Sequence, residues 1–482
     1  MEIFSPPQPD SSRSDSLQSD PSESRKKAGF PSKTAFAILA CVAMLTFWRV
    51  HIDDHKGFDP SVVGEAFRLR WPMPPPPILQ NASAYKSDKQ ETSPVFIADP
   101  KGLDPFFAQL WKLEQKKAAG VVTVLHYGDS PITADLITGD VRAQLQSRFG
   151  DAGRGYTLIA KPWAWYGHRG IEISDRGWKM RTGVGLMREG IYGLGGAAFE
   201  GGPGATSSFR LTESEQSAVI VEYLEKPGGG IFVVEADGKK VMEQTTNADA
   251  QKTACIRVEL PRKAKVVSIH PQAGTVTLFG ADFRNGAIGI LYDSLGLNGA
   301  TTTVLARVLQ PELWKQEIEH ANPALIIINY GSNESSFGSF VHKQYAAELR
   351  LAIQRARTAA PLAAILIMSP MDRGERSGLN EIETMQTIPE IVAIQRQIAA
   401  ETHCAFFDTY DAMGGNGTMA RWFTANPRLV TADLLHPTPQ GATLVANLFV
   451  EQLELGYNRW KMQRGITTSN APSAVASQFG AH

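Results

Sequence analysis

The spacing of apolar and polar positions changes several times along this chain, and each change marks a boundary. Residues 1–33 are Ser, Pro, Asp and Lys/Arg with almost no apolar side chains, so they cannot bury enough surface to fold and are expected to be disordered. Thr34 to Trp48 is then apolar or nearly so throughout. Residues 51–100 have no period. They contain Trp71-Pro72-Met73-Pro74-Pro75-Pro76-Pro77, which predicts an extended polyproline II stalk. Regular periodicity begins near Lys101 and ends near Gly465, before a polar tail over 467–482.

Within the periodic part, Val121 to Tyr127 is a short apolar, β-branched run, the signature of a parallel strand covered on both faces. Leu136, Val141, Leu145 and Phe149 fall at helical spacing and predict a helix over Ala134 to Phe149. From Lys161 to Asn285 the character becomes all-β. Ser217 to Glu225, Gly230 to Glu235, Ala254 to Leu260, Lys265 to His270 and Thr275 to Phe283 read as strands, with Asp237-Gly238 as a hairpin turn. Beyond Ala287, strands at Ile288 to Tyr292, Ala324 to Tyr330, Ala363 to Met368 and Ala405 to Asp408 alternate with helices. Those helices are expected at Thr301 to Leu309, Tyr345 to Thr358, Pro389 to Thr402 and Thr438 to Leu455. Alternation of this kind predicts an α/β fold, a parallel sheet flanked by helices. The simplest organisation is an α/β domain over 101–160 and 286–466, interrupted by an inserted β-sandwich over 161–285.

Composition narrows the function. The 482 residues are 43% hydrophobic and 20% charged, a globular balance. Lys plus Arg is 48 against 49 Asp plus Glu, so no basic excess exists to drive nucleic-acid binding. Three cysteines are too few for a disulfide scaffold, and Cys255 and Cys404 fall in different predicted domains, which argues against pairing them. None of the ten histidines has zinc-like spacing, so neither metal nor cofactor is expected.

The apolar run at Thr34 admits three readings. A cleaved signal peptide needs a small-x-small site, and Thr46-Phe47-Trp48-Arg49 is a poor one. A lipoprotein site at Cys41 would leave too short an apolar stretch, and a core helix would have nothing to cover it. An uncleaved single anchor over 34–50 fits better. Arg25, Lys26, Lys27 and Lys33 put its N-terminal side in the cytoplasm and the bulk of the chain outside it.

Four short blocks carry candidate chemistry. Tyr127-Gly128-Asp129-Ser130 directly follows a buried strand, where open α/β sheets place their sites. A serine opening a helix there presents both its hydroxyl and an N–H able to stabilise an oxyanion. Leu297-Asn298-Gly299 and Asn329-Tyr330-Gly331-Ser332-Asn333 also follow strands and offer a glycine N–H and an amide donor. Asp433-Leu434-Leu435-His436 spaces a carboxylate to meet an imidazole across a turn. Each block alone is ordinary turn or cap chemistry.

Their order resembles that of the SGNH (GDSL-type) hydrolases: a nucleophile block, a glycine block, a Gly-x-Asn block and an Asp-x-x-His block. The resemblance implies Ser130 as nucleophile, His436 as general base and Asp433 as its orienter. It also implies an oxyanion hole of Ser130, Gly299 and Asn333. Where that family has Gly-Asp-Ser-Leu or -His, this chain has Pro131, tolerated in a first helical turn. The inserted β-rich segment, Phe149-Gly150-Asp151-Ala152-Gly153-Arg154-Gly155-Tyr156, Ser369-Pro370-Met371-Asp372-Arg373 and Met413-Gly414-Gly415-Asn416-Gly417 further resemble peptidoglycan O-acetylesterases. In those enzymes the insert is similar to a carbohydrate-binding module. The implied activity is a membrane-anchored, extracytoplasmic serine esterase acting on an O-acetylated cell-envelope glycan. An O-acetyltransferase with the same tetrad, a lipid or thioester hydrolase and a glycan-binding protein are the alternatives.

Weaker candidates surround these blocks. Trp163 and Trp165, with Tyr166, can form a stacking platform for a sugar ring, although core or junction aromatics is the simpler expectation. Trp422 is similar. Arg373 and Arg376 can contact an anionic glycan or simply face solvent, His126 reads as a core histidine, and Glu334 as a brace for the cleft.

Overall fold

A computed structural model describes residues 95–116, 120–185, 190–378 and 381–466. The expected tail, anchor, stalk up to residue 94 and C-terminal tail lie outside the described residues. No helix among the described residues is long and apolar enough to cross a membrane.

The predicted apolar runs form one sheet. Its strands are ordered Ile97–Ala98, Ala405–Phe407, Ala364–Met368, Pro323–Asn329, Val121–Gly128 and Gly289–Gly296. All neighbours are parallel except the short edge strand Ile97–Ala98. Val121–Gly128 is buried at every position but its first, because helices cover both faces. The chain leaves this strand for Gly289–Gly296 on one side and returns as Pro323–Asn329 on the other. That reversal of direction opens a crevice at the strands' carboxyl ends.

Four predicted helices appear as Leu136–Phe149, Ala346–Ala359, Thr387–Glu401 and Pro439–Gln463. The helix expected over Thr301 to Leu309 appears only in part, as the wide helical turn Val304–Val308; ahead of it the Thr302 N–H and hydroxyl donate to the Glu334 carboxylate at 2.7 and 2.9 Å. The helix Pro311–Ala321, not anticipated from the pattern, follows it.

Between Gly153 and Arg284 the chain builds two antiparallel sheets. One has five strands, Lys239–Thr245, Ile231–Ala236, Val266–Ala273, Thr206–Leu211 and Ile171–Arg176, in that order. The other runs Lys252–Glu259, Ala218–Glu225, Val276–Arg284, Ala197–Gly201, Lys179–Thr182, with Gly153–Leu158 also paired to Val276–Arg284. The sheets meet through ring contacts of 5.4 Å for Phe209–Phe283 and 5.3 Å for Tyr223–Phe232.

No boundary sets these sheets apart as a body of their own. The described residues from 95 to 466 fall in one compact unit. A single apolar cluster extends from Phe209 and Val221 through Leu295 to Ile326 and Ile353. The physical reason is that Gly153–Leu158 serves both parts: it pairs with Val276–Arg284, while the Tyr156 N–H donates to Asp293 Oδ1 on a central-sheet strand at 2.9 Å.

Candidate active site

Ser130 is delivered by the strand Val121–Gly128 and a sharp turn at Asp129. Gly128 is needed there, since a Cβ would lie 2.6 Å from Ile132 Cγ1. The short helix Ser130–Thr133 accommodates Pro131 in its first turn, where no N–H is required. Ser130 Oγ lies 2.7 Å from His436 Nε2, and His436 Nδ1 lies 2.7 Å from Asp433 Oδ2. With a carboxylate at Nδ1, the proton is assigned to that nitrogen, and the Nε2 lone pair faces the serine.

The loop around this pair is tightly bonded. The Thr431 N–H donates to the His436 carbonyl at 2.8 Å. Leu434 takes a left-handed φ of 59°, which folds the two acting residues onto one side of the turn. Asp433 Oδ1 accepts from Thr431 Oγ1 at 2.6 Å and from the Leu435 and His436 N–H groups, both at 3.0 Å. Partial burial raises the Asp433 carboxyl, but hydrogen bonds from Thr431, His436 and the two backbone N–H groups outweigh it. They hold the group well below the usual carboxylate range.

Two further loops border the serine. Gly299 has φ +73°, a conformation a side chain would strain, and its N–H meets no acceptor among the described residues. The Leu297 N–H donates to the Gly128 carbonyl at 3.1 Å, which fixes this loop beside the nucleophile turn. Asn333 Nδ2 donates to the Ala300 carbonyl at 2.9 Å and so ties its own loop to that of Gly299. An amide has two hydrogens, and the second stays available for a substrate. Glu334, fully buried, adds a second tie through Thr302.

Below these loops lies an acidic pair. Asp129 is buried, and burial together with the nearby Glu334 raises its carboxyl to about 7. Burial raises Glu334 as well. Asp129 Oδ2 and Glu334 Oε2 have no hydrogen-bond partner.

The other candidates separate. Trp163 packs partly into the apolar core and Tyr166 is buried, whereas Trp165 is 59% exposed. Of the expected platform, only Trp165 therefore presents a free ring. Its turn is fastened next to the nucleophile helix, where the Gly167 N–H donates to the Thr133 carbonyl at 3.3 Å. Trp422 is core. His126 is fully buried between Tyr292 Oη at 2.7 Å and Asn329 Oδ1 at 3.4 Å, and burial lowers it to about 4, so it is neutral. Arg376 stacks over Phe423. Arg373 does not face solvent as a free loop residue: its Nη1 donates to the Ser332 carbonyl, Ser335 Oγ and Ser336 Oγ.

Sequence reasoning missed the parts played by Thr431, Thr302 and Arg373. Thr431 stands two residues before Asp433, a detectable turn signal. Thr302 and Arg373 act across 32 and 41 positions and leave no local trace. Cys255 and Cys404 are free thiols. Among the described residues, no group of His, Cys, Asp and Glu is arranged to hold a metal.

Residues 270–444 match the family model of GDSL-like lipases/acylhydrolases. Over those residues the chain is similar to the GDSL-like acylhydrolases. The matched stretch holds Gly299, Asn333, Asp433 and His436. It begins after Ser130, which the antiparallel strands separate from the other blocks in sequence. The reaction class is that of carboxylic ester hydrolases.

In fold, the chain is similar to a peptidoglycan O-acetylesterase of known structure. The TM-score is 0.64 at 21% identity, over 76% of this chain and 99% of that one. A putative GDSL-like lipase from Parabacteroides merdae matches at 19% identity, over 35% of this chain and 73% of that one, with a TM-score of 0.26. A family two carbohydrate esterase from Cellvibrio japonicus matches at 12% identity, over 63% and 98%, with a TM-score of 0.25. No curated protein matches the acylhydrolase chain.

Proposed function

We propose that the protein is an extracytoplasmic serine esterase that removes O-acetyl groups from a cell-envelope glycan, peptidoglycan being the nearest candidate. The observation that carries the reading is the chain Ser130 Oγ–His436–Asp433, with both links at 2.7 Å, at the carboxyl end of the parallel sheet. Likeness in fold to a peptidoglycan O-acetylesterase, over nearly all of that enzyme, supports the choice of substrate.

In this mechanism, Ser130 Oγ attacks the ester carbonyl carbon while His436 Nε2 takes its proton. The tetrahedral oxyanion accepts from the Ser130 and Gly299 N–H groups and the free Asn333 amide hydrogen. Collapse returns the proton from His436 to the departing sugar oxygen and leaves acetyl-Ser130. Water then attacks while His436 takes its proton, and collapse breaks the acyl–Oγ bond, returns that proton to Ser130 Oγ and releases acetate. Asp433 holds the imidazole tautomer and stabilises the imidazolium that forms twice. No step requires a metal or cofactor. Trp165, exposed beside the nucleophile helix, is the candidate surface for stacking a sugar ring.

The location rests on the sequence: a basic cluster, an apolar run over 34–50 and a proline-rich stalk that would hold the domain near wall polymer. The full chain is expected to sediment with membranes and to resist extraction by high salt. Recovery in the soluble fraction would overturn the anchor.

The test of the activity is acetate release from O-acetylated peptidoglycan, with acetyl-xylan and p-nitrophenyl acetate as comparators and Ser130→Ala as control. Ser130-dependent release that is strongest on the wall polymer is expected. Activity on the small ester alone would move the substrate elsewhere, and an assay of acetyl transfer to a glycan hydroxyl would follow.

A further inference from the structure

Arg373 belongs to the Ser369-Pro370-Met371-Asp372-Arg373 stretch, 40 positions beyond Asn333 in sequence, yet it joins two of the loops that border Ser130. Its Nη1 donates to the Ser332 carbonyl at 2.7 Å, to Ser335 Oγ at 2.9 Å and to Ser336 Oγ at 2.8 Å. Three acceptors share the two hydrogens of that nitrogen, which is committed to the Asn333 loop. They bracket Asn333 on both sides. The adjacent Gly374 N–H donates to the Leu434 carbonyl at 2.9 Å, inside the turn between Asp433 and His436. Closeness there is strict, since a Cβ on Gly374 would lie 3.0 Å from Leu434 Cβ. The guanidinium is about half-buried, and the charges facing it are Asp129, Glu375 and Asp433.

We propose that Arg373 is a positioning residue that sets the Asn333 amide against the oxyanion site and holds the Asn333 loop in register with the Asp433–His436 turn. The inference rests on the esterase reading of the Ser130 site and goes beyond it by assigning the device that preorganises its hole. A guanidinium suits the task, because the Nη1 hydrogens lie in a fixed plane and so set direction as well as distance to the acceptors around Asn333. Preorganisation of this kind is expressed in the transition state and not in substrate binding.

The experiment uses the full chain and two readouts: p-nitrophenyl acetate turnover, and the rate at which a fluorophosphonate probe labels Ser130. Neither depends on the identity of the glycan. If acetyl-glycan is not the substrate, both readouts still report on Arg373; if the Ser130 site is not an acyl-transfer centre, the wild type itself will be silent in both, and the proposal fails with it. For Arg373→Gln the expected kcat loss is about 30- to 100-fold, with KM within about twofold, in the range of a donor misplaced by a fraction of an ångström. Arg373→Lys, a compact ammonium without that fixed plane, should recover only part of it. Asn333→Ala should cost about 100- to 1000-fold. Arg373→Gln added to Asn333→Ala should cost little more, because both remove the same donor. Ser335→Ala with Ser336→Ala leaves Arg373 in place and removes two acceptors. It should reproduce the kcat-only loss in weaker form even if Arg373→Gln folds poorly. Fully multiplicative losses in the Asn333 double variant would overturn the proposal. So would a loss confined to KM on an anionic glycan, with the small ester unaffected; that would make Arg373 a substrate contact.

Discussion

Asp129 shows how one residue can set the working range of the site. It stands immediately before Ser130, and burial followed by the charge of Glu334 raises its carboxyl to about 7. Below that value it is neutral. Above it, a second negative charge appears beneath the loops that must stabilise an oxyanion, next to Glu334. Charge of the same sign disfavours the transition state, so kcat should fall as pH rises through about 7. Asp129→Asn, neutral throughout, should flatten that descending limb in a pH–rate profile. An unchanged limb would show that another group is responsible. Stability follows the same direction: a carboxyl raised in the folded state stabilises below its ordinary range and loses that contribution progressively as pH rises from there to about 7. Asp433 behaves oppositely. Its hydrogen bonds hold it ionised, so Asp433→Asn removes charge and reverses the preference of the Nδ1 tautomer. A kcat loss of at least about 100-fold is expected, up to the ~10⁴-fold known for the equivalent change in a serine protease triad. A smaller loss would mean that Thr431 and the backbone suffice to hold the turn.

At the scale of elements, legibility follows how local the determining contacts are. The central strands could be read because burial on both faces forces an apolar run, as in Val121–Gly128. The turn Asp237-Gly238 could be read because both residues adopt positive φ, 49° and 77°, as the tight hairpin between its flanking strands requires. Gly153–Leu158 was not read as a strand: its sequence, Gly-Arg-Gly-Tyr-Thr-Leu, has two positive-φ glycines and no alternation. Over Thr301 to Leu309 the pattern predicts a helix, and only Val304–Val308 winds as one, in a wide turn that nothing local marks. The same holds for an ionisable junction that no local pattern reveals. Glu222, on Ala218–Glu225, and Glu317, on Pro311–Ala321, lie against each other in full burial, and burial raises both carboxyls. Protons held by the folded state and not by the unfolded one make stability fall as pH rises above the ordinary carboxyl range, by about 1.4 kcal/mol per proton per pH unit. His126 and His168, lowered to about 4 by burial, oppose this trend only below the ordinary histidine range. From pH 6.5 to 8 the acid pair therefore prevails. Glu317→Gln should raise the melting temperature at pH 8 by a few degrees, at roughly 2–4 °C per kcal/mol, and by less at pH 5.5. An equal effect at both values would sink the account of protons held by buried carboxyls.

For the molecule as a whole, the antiparallel sheets and the parallel-sheet part share one interior, and cooperativity should follow. The strand Gly153–Leu158 is stitched to both: Gln146 Nε2 donates to the Gly153 carbonyl at 2.8 Å and to the Ile290 carbonyl at 3.0 Å, and Arg154 Nη2 donates to Gln146 Oε1 at 2.9 Å. On the other side, Gly280 receives the Tyr156 ring so closely that a Cβ would lie 2.1 Å from Tyr156 Cζ. Further out, Leu297 fills the space beside Gly196, where a Cβ would meet Leu297 Cδ1 at 2.5 Å. That contact joins an antiparallel segment to the residue two positions before Gly299. Excising residues 161–285 would thus strip the partner from Gly153–Leu158 and open the apolar cluster that continues under the catalytic loops. Unpaired strand edges and exposed apolar surface are aggregation hazards. Calorimetry on residues 95–466 should show a single transition, with ester hydrolysis lost in the same temperature interval. The deletion variant should be insoluble, not an active minimal enzyme. Two resolved transitions, with hydrolysis surviving the first, would instead establish the antiparallel sheets as an independent module and make the Leu297–Gly196 contact dispensable.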